Sequence, residues 1–237
     1  MTIYQQIIQA KAKSQKLLAI LLDPDKLEVT TISPLIKKVN QSPATHIFVG
    51  GSSYNGTHLD DLIQAIKKNT NLPVVLFPGN PSQISGVADG ILFLSLLSGR
   101  NPDYLIEHQI NAVPILKKTN LEVISTAYIL IESGNPTAVE RVSQTKPLNR
   151  NNADYVLQTA QAAEFIGNKL IYLEAGSGAQ LPVPLNMITL VSQNTCIPLI
   201  VGGGIRSFQE IENTYKAGAD LIVIGTAFEN DIHFFDS

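Results

Sequence analysis

Three glycine-bearing segments late in the chain carry its strongest chemical signal: Tyr172-Leu173-Glu174-Ala175-Gly176-Ser177-Gly178, Val201-Gly202-Gly203-Gly204-Ile205 and Val223-Ile224-Gly225-Thr226. Glycine turns let backbone N–H groups approach an anion closely, and a helix N-terminus adds the positive end of its dipole. Their spacing is about one strand plus one helix, as in the phosphate site of a (β/α)₈ barrel. Successive glycines weaken a fold unless close backbone approach demands them. Glu174 stands beside this cradle as a candidate general base; a salt-bridged structural glutamate is the other reading. Tyr172 alternates with Glu174 along a strand, so both can point the same way. There it hydrogen-bonds a phosphate, turns its ring to an electron-poor centre, or only packs in the barrel. Arg206 adds a charge or faces a neighbouring loop.

A second signal lies at the first two strand ends. Asp23, in Leu22-Asp23-Pro24-Asp25-Lys26, offers a carboxylate to Mg²⁺, which takes oxygen ligands and keeps several waters. Asp-Pro-Asp is also turn chemistry, and Asp25 could simply cap a helix. Ser52, in Gly50-Gly51-Ser52-Ser53, could complete a Mg²⁺ shell with its hydroxyl, or serve as an N-cap after a glycine turn. The four histidines, 46, 58, 108 and 233, lack metal-ligand spacing. Asp60-Asp61 has no companion cluster and reads as the solvated start of a helix. No P-loop, dinucleotide fingerprint or Ser-His-Asp pattern is present.

The elements that must hold these residues recur along the whole chain. Apolar runs at 17–22, 46–49, 73–77, 90–94, 122–130, 169–173, 197–201 and 220–224 read as eight strands. They are continuous rather than alternating, as in a buried parallel sheet. Helical patterns lie at 33–40, 59–68, 104–118, 153–166 and 208–217, with Gly218 as a C-cap. Residues 81–88 are too short and polar for a full helix, so the third unit is expected to be irregular and to leave one side of the barrel open. Residues 133–152 read as a long loop with a short helix. The expected fold is therefore an α/β modified TIM barrel with an irregular or missing third helix, as one domain over 1–237.

Composition agrees. The chain has 237 residues, 44% of them hydrophobic, and a net charge of −3, so no basic field argues for nucleic acid. The lone cysteine, Cys196, cannot form an internal disulfide and reads as a small buried hydrophobe. Residues 1–16 read as an amphipathic helix, not a signal peptide, and no run approaches a membrane span. A cytoplasmic protein without an integral membrane segment is expected.

With these residues assembled, the chain resembles the geranylgeranylglyceryl phosphate synthase family, including the heptaprenylglyceryl phosphate synthases. The matching words are Leu21-Leu22-Asp23-Pro24-Asp25-Lys26, Val49-Gly50-Gly51-Ser52, residues 172–178, Val201-Gly202-Gly203-Gly204-Ile205 and Gly225-Thr226. The stretch 126–134 resembles the larger, archaeal-like branch. The smaller bacterial branch has a lysine two residues before its Asp-Pro where this chain has Leu21, so that lysine's phosphate role does not carry over. The resemblance implies transfer of a polyprenyl group to the C3 hydroxyl of sn-glycerol 1-phosphate, with Mg²⁺ and release of diphosphate. It implies Asp23 and Ser52 as metal positions, and Tyr172, Leu173, Glu174, Ala175, Gly176, Ser177, Gly178, Gly203, Gly204, Gly225 and Thr226 as glycerol-phosphate positions. Family habit and apolar composition suggest a homo-oligomer. An apolar groove lined by Phe77, Leu94, Leu97, Tyr104 and Tyr128 is expected for the prenyl chain, although each could be ordinary core. The competing readings are a phosphate-binding TIM-barrel isomerase or lyase, which needs an opposed acid/base pair, and a catalytically silent phosphate-ligand binder.

Overall fold

A computed structural model of the chain describes residues 1–52, 54 and 56–236. Its strands are β1 (Leu17–Leu22), β2 (His46–Val49), β3 (Val74–Leu76), β4 (Gly90–Leu96), β5 (Glu122–Leu130), β6 (Leu170–Glu174), β7 (Leu199–Gly202) and β8 (Leu221–Ile224). They pair in parallel in sequence order, and β1 pairs with β8 to close the barrel. Side chains alternate across each strand. Leu17, Phe48, Val75, Leu92, Tyr172 and Val223 pack inside the barrel, while Leu18, Ile47, Val74, Ile171 and Ile222 pack outward against the helices. Burial on both faces explains the continuous apolar runs.

The helices are α1 (Ile3–Ala12), α2 (Ile32–Gln41), α3 (Leu59–Lys68), α4 (His108–Leu116), α5 (Ala138–Ser143), α6 (Ala153–Ile166), α7 (Leu185–Asn194), α8 (Phe208–Lys216) and α9 (Thr226–Asn230). Among the described residues, no helix is long and apolar enough to cross a membrane. Ile3, Ile7 and Ala10 of α1 join the inner barrel cluster. The Glu122 carboxylate, at the start of β5, accepts the N–H groups of Ile3 and Tyr4 at 2.5 and 3.0 Å. A carboxylate there satisfies orphan N–H groups and favours the helix dipole. In this way α1 plugs the N-terminal mouth, leaving the opposite mouth for a ligand.

Between β3 and β4 the chain forms only a 3₁₀ turn, Pro81–Gln83, so the irregular third unit is realised. The buried Gln83 amide stands in for part of the missing helix: it accepts from the Gly79 N–H and donates to the Gly51 carbonyl, each at 3.1 Å. Those two bonds tie the loops after β2 and β3 together.

Three sequence expectations need correction. The 104–118 helix begins with a π-helical turn, Asp103–Glu107, before α4. Helix α7 is absent from the helices read in the sequence. Its Thr, Ser and Asn residues are poor helix formers, and buried Met187, Ile188 and Val191 hold it instead. Cys196 is exposed, because β7 starts only at Leu199 and the cysteine sits in the connection before it. Its backbone N–H bonds the Glu164 carboxylate at 2.7 Å while Thr195 is buried.

His46, at the start of β2, is 2% exposed, and its Nε2 has no hydrogen-bond partner among the described residues. Burial pushes its pKa down to about 4, from the usual 6.5. The unfolded chain therefore binds a proton between these values that the folded chain refuses, and stability falls as pH is lowered through that window. The expected loss between pH 7 and pH 4 is about 3 kcal/mol from this one group. Denaturant unfolding of the native chain and His46→Gln at both pH values checks this. The variant is expected to lose less by that amount, and equal losses would remove His46 as the cause.

Candidate active site

A single cavity occupies the C-terminal mouth of the barrel. Its rim carries Asp23, Gly50, Gly51, Ser52, Glu174, Gly176, Ser177, Gly178, Gly203, Gly204, Arg206, Gly225 and Thr226. Phe77, Ile84, Leu92, Leu94, Tyr104 and Tyr128 also line it, beside the gap where the third helix is missing. Leu97 packs against the outer core instead, so it leaves the expected groove while the other four candidates remain. Ser53 lies outside the described residues.

Glu174 ends β6 and is 5% exposed. Its Oε1 accepts the Gly176 N–H at 2.6 Å. Burial raises its pKa, and interactions with Tyr172 and the Gly176 N–H offset this in part. A carboxyl group made more basic by burial, at the rim of a cavity, has the character of a general base. Burial also drives the Tyr172 hydroxyl well above its usual range, with the Glu174 charge adding to the shift, so the phenol keeps its proton. Tyr172 Oη is near the carboxylate yet makes no hydrogen bond of normal geometry, leaving a buried donor without a partner among the described residues. The Tyr172 ring stacks on Phe77 at 5.3 Å and meets Tyr128 edge-on at 5.4 Å. An aromatic wall thus adjoins the acid–base group.

The glycine run has a packing reason. A Cβ on Gly202 would lie 2.6 Å from Tyr172 Oη and 2.9 Å from Glu174 Oε2. Gly203 has φ +82°, and a Cβ there would fall 2.3 Å from Glu174 Oε1 and 2.6 Å from the Gly176 nitrogen. The β7 turn therefore lies directly against the β6 turn, and only glycine permits that approach. Leu173 and Ala175 do not line the cavity; their side chains lie in the outer core. Arg206 donates to the Ala179 and Gln180 carbonyls at 2.5 and 3.4 Å, fixing the loop after β6 from the neighbouring strand end.

Asp23 caps the turn Pro24–Lys26, its Oδ1 accepting from the Asp25 N–H at 3.1 Å, so the cap is Asp23 and not Asp25. Its Oδ2 lies 3.4 Å from Lys26 Nζ, which also donates to Glu229 Oε2 at 2.8 Å. Desolvation opposes the Lys26 charge, but Glu229 and Asp23 together outweigh it and raise the pKa. The pairing of β1 with β2, Leu22 opposite Val49, brings Asp23 and Ser52 to the same rim. Among the described residues no group of three His, Cys, Asp or Glu is placed to hold a metal.

Sequence reading missed Lys26 and Glu229 as site residues. Lys26 stands in the Asp-Pro-Asp-Lys word, and Glu229 follows Gly225 by about one helical turn. Those spacings were the available signals.

A closed eight-stranded barrel with glycine turns and a buried carboxylate at its open mouth defines a phosphate-binding (β/α)₈ barrel. The model of the PcrB family matches residues 8–236, and the chain belongs to that family. It is 69% identical over 236 residues to the geranylgeranylglyceryl phosphate synthase of Flavobacterium johnsoniae, spanning 100% of this chain and 97% of that protein. The enzyme of the same name from Pyrococcus furiosus is 41% identical over 227 residues, with 95% and 90% covered. Among solved structures, the (S)-3-O-geranylgeranylglyceryl phosphate synthase from Thermoplasma acidophilum, in complex with its substrate sn-glycerol-1-phosphate, superposes with a TM-score of 0.94. The two are 33% identical, with 100% of this chain and 95% of that chain covered.

The packing argument gives a direct comparison. Gly203→Ala must accept both a left-handed backbone and a clash, whereas Gly178→Ala, at φ +71° with nothing within 4 Å, meets only the backbone cost. The backbone cost is about 1–2 kcal/mol, and forced overpacking adds about 1–3 kcal/mol. Denaturant unfolding is expected to show Gly203→Ala as the more destabilised by the second amount. Equal destabilisation would mean the β6 and β7 turns are not in obligatory contact.

Proposed function

We propose that this chain is a prenyltransferase that joins the C3 hydroxyl of sn-glycerol 1-phosphate to geranylgeranyl diphosphate, giving an ether and free diphosphate. One observation carries the reading: a single cavity has a glycine-rich polar rim at one side, an apolar wall at the other, and Glu174 where they meet. Such a cavity suits an acceptor phosphate and a long hydrocarbon at once. The similarity to the geranylgeranylglyceryl phosphate synthases supports both halves.

In this reading the N–H groups of Gly203, Gly204, Gly225 and Thr226, with Ser177, hold the acceptor phosphate. The acceptor hydroxyl is thereby fixed beside Glu174. Its oxygen forms a bond to the allylic carbon as the bond from that carbon to diphosphate breaks, and its proton passes to a Glu174 oxygen. The electron pair of the broken bond leaves with diphosphate. Holding hydroxyl and carbon in line replaces an encounter in solution, which is the larger contribution. Phe77, Tyr128 and the protonated Tyr172 keep water from the electron-poor carbon and present ring faces to it.

Asp23, with Ser52 beside it, is the proposed Mg²⁺ position, where the cation when bound neutralises charge on the leaving diphosphate. The residues fit this role. Mg²⁺ is commonly held by one or two carboxylates plus substrate phosphates. The lining carboxylates Asp23, Asp25, Glu174 and Glu229 outnumber the cations Lys26 and Arg206, so two anionic substrates need added positive charge. A homo-oligomer and a cytoplasmic setting belong to the same reading. Exposed apolar side chains on α4 and its preceding turn, Ile106, Ile110 and Val113, and at the end of α6, Phe165 and Ile166, support association.

Two measurements test the reading. A general base typically contributes about 10²–10⁴-fold, so Glu174→Gln is expected to lose turnover on that scale and keep its affinity for sn-glycerol 1-phosphate. Near-normal turnover would make Glu174 structural. Asp23→Asn is expected to lower turnover more than acceptor binding, and EDTA to abolish transfer in the native enzyme. Full activity in EDTA would overturn the metal role.

A further inference from the structure

Lys26 sits at a seam. β1 and β8 are neighbours, β1 leads to Asp23, and β8 leads through Gly225 into α9. The Lys26 ammonium bridges the two, at 3.4 Å from Asp23 Oδ2 and 2.8 Å from Glu229 Oε2. An ammonium has three N–H donors, and these contacts use two. The side chain lines the cavity and is 54% exposed, so its third donor faces accessible space. Arg206, the other cation on the lining, is directed to the Ala179 and Gln180 carbonyls on the far side of the glycine cradle. The Asp23 side of the cavity is therefore served by Lys26.

We propose that Lys26 binds a diphosphate oxygen of the prenyl donor, holding the leaving group at the boundary between the two substrates. The proposal rests on the prenyltransferase reading. Binding proceeds by exchange: Lys26 relaxes its longer contact with Asp23, whose carboxylate turns to the cation accompanying the diphosphate, while Glu229 keeps the ammonium in place. No bond is made or broken covalently by Lys26, and it acts as a positioning residue for the leaving group. Its flexible stem suits a group that must release diphosphate after each turnover.

The test uses the full chain, with inorganic diphosphate plus Mg²⁺ and, separately, sn-glycerol 1-phosphate as probes in calorimetric titrations. Loss of a hydrogen bond to a charged group corresponds to roughly a tenfold or greater loss of affinity. Lys26→Met is expected to weaken diphosphate binding on that scale and leave acceptor affinity within about twofold, as for a group outside the acceptor site. Glu229→Gln, which removes the charge of the closer partner but keeps an acceptor oxygen to hold the ammonium, is expected to keep or strengthen diphosphate binding. Unchanged diphosphate affinity in Lys26→Met, in a chain whose native form still transfers prenyl groups, overturns the proposal and leaves the function standing. Equal loss of acceptor affinity assigns the ammonium to the acceptor phosphate, and equal weakening by both variants makes the pair a structural tie for α9; either result overturns the proposal. A native chain that binds neither probe overturns the functional reading as well.

Discussion

A carboxylate taken out of water must be compensated locally, and the environment of Glu174 organises the site around that requirement. The Gly176 N–H supplies a charge-stabilising hydrogen bond, which requires the chain to turn immediately after β6. That turn lies against the one after β7, where Gly202 and Gly203 leave room for the carboxylate and the Tyr172 hydroxyl. The same packing that makes the carboxylate more basic thus produces the glycine-lined surface beside it. The buried carboxylate and the glycine-lined surface, proposed above as base and phosphate cradle, are two results of one contact between neighbouring strand ends.

The rest of the barrel directs access to that contact. Helix α1, capped by Glu122, fills the N-terminal mouth with Ile3, Ile7 and Ala10. After β3 a 3₁₀ turn replaces the helix, and Gln83 ties the adjoining loops together there. A ligand therefore meets a polar rim over β6 to β8 and apolar walls near β3 to β5. This division follows the strand order, since the chain places its glycine turns late and its irregular unit early.

Much of this was legible in the sequence because it depends on local patterns. Continuous apolar runs marked all eight strands, the polar stretch 81–88 marked the absent helix, and the glycine turns marked one side of the cavity lining. What was not legible depends on tertiary contact. α7 has weak intrinsic helix preference and is fixed by burial of Met187, Ile188 and Val191. Cys196 looked like part of an apolar run, yet the strand begins three residues later. Leu97 follows β4 directly, where its continuation no longer points into the barrel. The pairing of Lys26 with Glu229 spans 203 residues of chain, so only closure of β8 on β1 reveals it.

The central claim is that one cavity brings a glycerol phosphate hydroxyl to an allylic diphosphate carbon. The most direct measurement incubates the native chain with sn-glycerol 1-phosphate, labelled geranylgeranyl diphosphate and Mg²⁺, and follows label and diphosphate together. The account predicts a labelled, acid-stable prenyl ether of glycerol phosphate, formed in equal amount with the diphosphate released. Label appearing only as the free prenyl alcohol, or no turnover despite binding of both substrates, would contradict it.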